Sequence, residues 1–146
     1  MTIRTMGPSD RDRAAEIWLE GNLQAHAFIA PCYWKSHFEE VKAQLLQAEA
    51  YVCEEETGVE GFIGLEGDWV AGIFVWRPAQ GRGVGKALLE QAKEKRSRLS
   101  LRVYQDNKRA VAFYQREGFH IRRESADGDT GALEYVMEWS KRQTAF

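Results

Sequence analysis

The run Pro78-Ala-Gln-Gly-Arg-Gly-Val-Gly-Lys-Ala-Leu-Leu89 places three glycines within five positions, with a lysine directly after the third. An apolar stretch from Trp69 to Trp76 precedes it and reads as a strand. A run with Leu88, Ala92 and Lys95 on one stripe follows it and reads as a helix. Glycines at such a junction let the chain turn tightly and approach a ligand with no Cβ in the way. The N–H groups of Gly83, Val84, Gly85 and Lys86 then converge at a helix N-terminus, where the dipole also favours an anion. Two familiar anion loops do not fit. A P-loop needs four residues between its glycines and a hydroxyl residue after its lysine, but only three residues separate Gly81 from Gly85, and Ala87 follows Lys86. The dinucleotide fingerprint needs a glycine where Lys86 stands. What remains is Gln80-x-x-Gly83-x-Gly85, a strand–turn–helix cradle for a pyrophosphate, with Arg82 and Lys86 adding charge. The plain alternative is a glycine-rich turn that holds no ligand.

The chain has 146 residues, the length of one ordinary domain, expected to span 1–146 with the last few residues as a tail. A chain of this size buries ~70% of its unfolded surface, so no metal or disulfide is required to hold it. With 44% hydrophobic and 29% charged residues the composition is that of a soluble globular protein. A net charge of −2 excludes a polycation seeking nucleic acid, although Arg77, Arg82, Lys86, Lys108 and Arg109 cluster locally. The N-terminus carries no apolar signal region and no stretch approaches a membrane span, so no membrane partner is expected and the reading is cytoplasmic. Cys32 and Cys53 match no metal or redox spacing and suggest reduced thiols, with Cys53 in core packing.

Outward from the loop, the pattern predicts a mixed α/β domain. A short strand at Ile3–Met6 leads to a helix that starts near Pro8-Ser9-Asp10, carries Ala14, Ile17 and Trp18 on one face, and ends near Gly21. Trp34, Phe38, Val41 and Leu45 predict a second helix. Tyr51–Glu55, Gly61–Glu66 and Trp69–Trp76 read as strands turning at Thr57-Gly58 and Gly67-Asp68. After the helix from Val84 come an alternating strand (Leu99, Leu101, Val103) and a helix from Asn107 to Glu117, closed by Gly118. Phe119–Ile121 and Glu134–Trp139 form a closing hairpin around Asp127–Gly131.

A second constellation, Asn107-Lys-Arg-Ala110-Val-Ala-Phe113-Tyr114-Gln-Arg-Glu-Gly118-Phe119, follows the strand that ends near Gln105. Together with Gln80-x-x-Gly83-x-Gly85 it resembles the GNAT superfamily of acyl-coenzyme A dependent N-acetyltransferases, over essentially the whole chain. The front part, with Ile17-Trp18-Leu19, His26-Ala-Phe28-Ile29 and Tyr33-Trp34, is similar to the small bacterial YiaC-type branch. The resemblance implies a central, mostly antiparallel twisted sheet of about seven strands, splayed between the fourth and fifth, with about four helices. It implies acetyl-CoA as acetyl donor with no metal, and transfer to a primary amine by direct attack. Monomer or homodimer both fit.

Residue by residue, it implies that Phe74 and Val75 lend backbone to the pantetheine amides, as an added strand would pair. Gln80, Gly81, Arg82, Gly83, Val84, Gly85 and Lys86 would cradle the pyrophosphate. Asn107 would hydrogen-bond the pantetheine arm, or only cap its helix. Tyr114 would contact the cofactor and protonate the departing thiolate; Phe113 would anchor the helix. Many members carry a glutamate early in the fourth strand, but here that position falls at or near Trp69. Glu66 is then the candidate base, with Asp68, His26 or a base acting through water as alternatives. His26, Tyr33 and Trp69 are candidate acceptor-binding residues. The branch resemblance points to a protein lysine as acceptor, but a small amine or an N-terminal α-amine remains open. A coenzyme A sensor without catalysis is the other functional class, disfavoured by Tyr114.

Overall fold

A computed structural model describes residues 1–45 and 47–141; the expected tail lies outside the described residues. The elements in chain order are β1 (Thr2–Thr5), α1 (Arg11–Ala25), α2 (Pro31–Ser36), α3 (Phe38–Leu45), β2 (Glu49–Glu55), β3 (Gly58–Glu66) and β4 (Trp69–Val75). They continue with α4 (Val84–Lys95), β5 (Arg98–Tyr104), α5 (Lys108–Arg116), β6 (His120–Ala126) and β7 (Leu133–Ser140). Seven strands form one sheet in the order β1-β2-β3-β4-β5-β7-β6. Every neighbouring pair is antiparallel except β4–β5.

Two layers of helices cover the two faces. On one, Val84, Leu88, Leu89 and Ala92 of α4 pack with Ile63, Leu65, Leu99, Leu101 and Met137 of the sheet, and Tyr114 and Phe119 complete that core. Each such leucine contributes about 1.5–3 kcal/mol through burial. On the other, Ala14 and Ile17 of α1 pack on Val52 and Phe62, with Phe74 against them. The strand alternation read from Leu99, Leu101 and Val103 is therefore the α4 side of β5. Ser100, Arg102 and Tyr104 face the α1 side.

Most boundaries shift by one to three residues, β3 for instance starting at Gly58 rather than Gly61; the larger departures have packing reasons. Helix α1 does not stop at Gly21 but runs to Ala25; Gly21 is a close-approach position rather than a helix end, since a Cβ there would stand 3.2 Å from the Phe74 ring. The expected second helix is two. His37 closes α2, its Nδ1 lying 2.7 Å from the Tyr33 carbonyl, and α3 starts afresh at Phe38. Strand β6 runs on to Ala126 rather than ending at Ile121, because β7 pairs along its length. The expected glycine cap holds: the N–H groups of Gly118 and Phe119 bond back to Gln115 and Tyr114.

The parallel contact is what positions the site. Strands β4 and β5 share a single register pair, Trp69 with Ser100, beside the hydrogen bond from Ser100 N–H to the Asp68 carbonyl at 2.9 Å. In β4 the partner of Leu65 is Val70 and that of Gly64 is Gly72, so Ala71 is an extra residue, a bulge that bends the strand. Past it β4 pairs with β3 alone and β5 with β7 alone. The sheet opens like a V toward the C-terminal ends of these two strands.

Candidate active site

The opening is a cleft of about 1080 Å³, walled by Ala71–Val75 of β4 and by Arg102, Val103 and Tyr104 of β5. That volume lies at the upper end of ordinary small-molecule sites and suits a long, extended ligand. The cleft passes through the sheet, since helix residues from both faces line it: Gly83, Gly85, Lys86, Asn107 and Tyr114 on one side, Trp18, Asn22, His26 and Trp34 on the other.

On the α4 face the glycine loop ends the single turn Arg77–Ala79 and starts α4. Gly81 and Gly83 have φ of 83° and 85°, the left-handed region that other residues enter at a cost of about 1–2 kcal/mol. Added Cβ atoms there would meet nothing within 4 Å, so backbone conformation and not crowding requires these glycines. Gly83 is the cap residue, and the first-turn amides that follow it have no helical partner. Arg77, Lys86, Lys108, Arg109 and Arg116 surround this end of the cleft. Bare amides, a helix start and five cations match a pyrophosphate with a further phosphate group, so the residues present fit coenzyme A.

The structure distributes the sequence-predicted residues unevenly. Phe74, Val75, Gln80, Gly81, Gly83, Val84, Gly85, Lys86, Asn107, Tyr114 and His26 all line the cleft. Gln80 turns its side chain back, donating from Nε2 to the Val75 carbonyl at 3.1 Å, and so fixes the loop. Lys86 Nζ reaches Glu117 at 3.5 Å. Arg82, by contrast, lines a separate concavity with Glu54, Glu55, Glu56 and Glu60. Glu66 is exposed in the β3–β4 hairpin, opposite Trp69, and does not line the cleft. Asp68 pairs with Arg96 at 3.8 Å and Arg98 at 3.4 Å. Trp69 stands one layer back: the Arg102 guanidinium lies 4.5 Å over its ring, and Arg102 is the cleft residue. Tyr33 stays outside as well, donating its hydroxyl to Asp129 at 3.1 Å; burial first, then that carboxylate, push its phenol up to about 12.

Tyr114 is 9% exposed, and its hydroxyl makes no hydrogen bond with the described residues. Burial pushes its phenol well above the ordinary value, so the group is a proton donor at every working pH. Its ring is held between Phe113 and Phe119.

His26 joins the two halves of the site. Its Nδ1 lies 2.8 Å from Asn22 Oδ1 and its Nε2 lies 3.1 Å from Asn107 Nδ2. Both amide orientations are fixed independently, because Asn22 Nδ2 donates to the Trp18 carbonyl at 2.9 Å and Asn107 Oδ1 accepts from Ala110 N–H at 3.3 Å. Only one tautomer satisfies this chain: neutral imidazole, protonated on Nδ1. Burial pushes its pKa down to about 4. With both nitrogens committed, His26 cannot be the general base; it ties the end of α1 to the cap of α5. Asn107 is thus a helix cap with one amide hydrogen left to face the cleft.

Sequence reasoning missed Arg102, Tyr104 and Glu134, which line the cleft on or beside β5. Tyr104 packs edge-on to His26 at 4.8 Å and donates its hydroxyl to Asp127. The alternation of β5 marks these residues as the polar face of a strand, and nothing short of the sheet order shows that this face borders a gap.

Residues 47–121 match the family model described as Acetyltransferase (GNAT) domain. The chain is 36% identical to the Escherichia coli K12 protein named Peptidyl-lysine N-acetyltransferase YiaC, covering 97% of this chain and 99% of that one. It is 27% identical to Peptidyl-lysine N-acetyltransferase YjaB of the same organism, over 90% of each. The solution structure of apo YjaB superposes with a TM-score of 0.85 over 94% of this chain and 96% of that one, at 25% identity. A bifurcated seven-strand sheet, a bare helix start at the fork and full-length likeness to these enzymes agree: the chain belongs to the GNAT acetyltransferase family.

Proposed function

We propose that this protein transfers the acetyl group of acetyl-CoA to the side-chain amine of a protein lysine, with residues 1–146 as one transferase domain. The observation that carries the reading is the cleft through the sheet. It offers a cationic, glycine-lined mouth on the α4 face and an aromatic mouth on the α1 face, so two substrates can meet from opposite sides. The relatives named for peptidyl-lysine acetylation support the acceptor class.

When bound, acetyl-CoA supplies an acetyl thioester whose thiolate is the leaving group. Gly81–Lys86 hold the pyrophosphate through backbone N–H groups, with Arg77, Lys108 and Arg109 adding charge. The unpaired edge of β4 at Ile73–Val75 gives N–H and C=O groups to the pantetheine arm. Tyr114 holds a proton at its hydroxyl for the sulfur. The same burial that raises a phenol also raises a nascent thiolate, so donor and acceptor shift together. His26 and Asn107 keep α1 and α5 at a fixed distance across the cleft, which orients the acceptor for attack.

The test is turnover of acetyl-CoA, read as free thiol, against lysine peptides, α-amine peptides and small amines, with mass spectrometry locating the acetyl group. Acetylation of lysine Nζ is expected. Tight coenzyme A binding with no transfer to any amine would refute the reading in favour of a sensor.

A further inference from the structure

A lysine ammonium near pKa ~10.4 must lose a proton before it can attack, at about 4–5 kcal/mol at neutral pH. None of the side chains expected as base is placed for it: Glu66 and Asp68 lie outside the cleft, Asp68 paired with Arg96 and Arg98, and His26 has no free nitrogen. Among the described residues, three other carboxylates line the cleft: Asp106, Glu117 and Glu134. Glu117 is pinned between Lys86 at 3.5 Å and Lys93 at 3.9 Å on the α4 face. Asp106 is exposed ahead of α5. Glu134, at the start of β7, is half-buried, and no hydrogen bond or ion pair from another described residue holds its carboxylate.

We infer that Glu134 is the general base: its carboxylate receives the acceptor ammonium at the α1-face mouth of the cleft and takes a proton from it, directly or through one water. The inference rests on the acetyl-transfer reading above. Register supports it. Glu134 is the cross-strand partner of Tyr104 on one side and of Ser125 on the other, so all three side chains rise from the same face. Tyr104 packs on His26 at 4.8 Å and on Phe28 at 5.5 Å, and Trp34 lies 5.6 Å from His26. This aromatic wall suits the aliphatic stem of a lysine, with the Glu134 carboxylate beside Tyr104 to meet its ammonium. The charged and titratable groups around Glu134 are Arg102 and Tyr104 on β5, Asp127 in the β6–β7 loop, Arg123 on the same face of β6 by register, and the neutral His26 at the end of α1. Burial first, and then the Asp127 charge, raise the Glu134 carboxyl above the usual range, while Arg102 opposes them. A raised carboxyl is the better base.

One N–H bond of the ammonium breaks and its proton goes to a Glu134 oxygen. The freed lone pair forms the C–N bond, the C–S pair leaves on sulfur, and a second N–H proton passes to solvent. Tyr114 gives its hydroxyl proton to that sulfur and regains one, through solvent, from Glu134.

The experiment compares wild type, Glu134→Gln and Glu134→Asp. Glu134→Gln should keep its melting temperature and its calorimetric affinity for acetyl-CoA within about twofold. It should lower kcat/KM for a lysine peptide ~10²- to 10⁴-fold and abolish the acid limb of the pH profile. Glu134→Asp should regain part of the rate and the limb. Independently of turnover, the Glu134 side-chain carboxyl resonance of cofactor-free protein should shift on adding Nα-acetyl-lysine amide. An unchanged rate, a slowed variant that keeps the acid limb, or a carboxyl resonance indifferent to the lysine amide each overturns the assignment. Wild type that acetylates no amine sinks the acetyl-transfer reading instead, and the resonance then still reports whether Glu134 meets the ammonium.

Discussion

Acidification should release the His26 tie, and the size of the effect follows from its surroundings. Protonated His26 would present an N–H at Nε2 to the Asn107 amide, a donor against a donor, so the folded protein resists the charge. The imidazole pKa falls from 6.5 to about 4. Between those values the unfolded chain binds a proton that the folded chain refuses, so stability falls as pH drops from about 6.5 to about 4 and levels off on either side. The gap caps the loss at about 3 kcal/mol; partial exposure of the ring screens it to about 1–2 kcal/mol. Carboxylates held low by their partners, Asp10, Glu49 and Asp127, lose stability in the same direction, so the wild-type curve alone does not isolate His26. The assay is therefore urea unfolding of wild type and His26→Gln from pH 7.5 to 4. The variant should be less stable at pH 7.5 by about 1–2 kcal/mol for the broken network, and that difference should shrink toward pH 4. A difference constant across the range would refute the neutral, doubly bonded imidazole.

Tyr114→Phe should lower turnover ~10- to 10⁴-fold with acetyl-CoA affinity within a few fold by calorimetry; unchanged turnover would mean that another group protonates the sulfur. Gly85→Glu should abolish coenzyme A binding in the same titration, since its side chain would extend past the Phe113 ring, 3.4 Å from the added Cβ, carrying negative charge to the phosphate end. Asp10→Asn should cost about 2 kcal/mol in denaturant unfolding, because the buried Asp10 carboxylate accepts from Arg4 Nη1 at 2.8 Å, Arg4 Nη2 at 3.1 Å and Gly7 N–H at 2.8 Å.

The fold and the cleft were not equally legible in the sequence. The individual strands and the glycine loop could be read locally, whereas the β4–β5 fork was anticipated only through the family resemblance. Left-handed backbone at Gly81 and Gly83 requires glycine, and strand alternation at Leu99, Leu101 and Val103 reports a buried face directly. Arg82 shows where local logic stops. A cation inside the loop suggests a phosphate partner, yet its exposed side chain leaves on the far side of the turn, toward Glu54–Glu56. The break at His37 was hidden because Trp34, Phe38, Val41 and Leu45 keep helical spacing across it. Only His37 separates α2 from α3, so the apolar spacing runs on across the break. The α1-face wall was least legible of all. Its parts, His26, Trp34, Arg102, Tyr104 and Glu134, come from elements scattered along the chain, and only sheet register brings them together.

That register also explains why the base sits on β7. Trp69 is at or near the position where superfamily members often carry a glutamate on the fourth strand, and here Arg102 lies 4.5 Å over its ring. A glutamate at this position would face a guanidinium at close range. The pairing would hold it ionised and depress its pKa, the opposite of what a base for an ammonium requires. An aromatic ring instead accepts the guanidinium by its face and leaves no carboxylate to be neutralised. With β4 closed to acidic chemistry, the nearest strand on the same face that can supply a carboxylate is β7, one strand beyond β5. There Glu134 meets Tyr104 across the ladder, and burial first, then the negative charge of Asp127, which Tyr104 holds in place, push its proton affinity up. Arg102 then has a second effect: standing between Trp69 and Glu134, it sets how far that affinity can rise. Tryptophan at 69, arginine at 102 and glutamate at 134 are in this sense one arrangement, in which each residue makes the other two chemically reasonable.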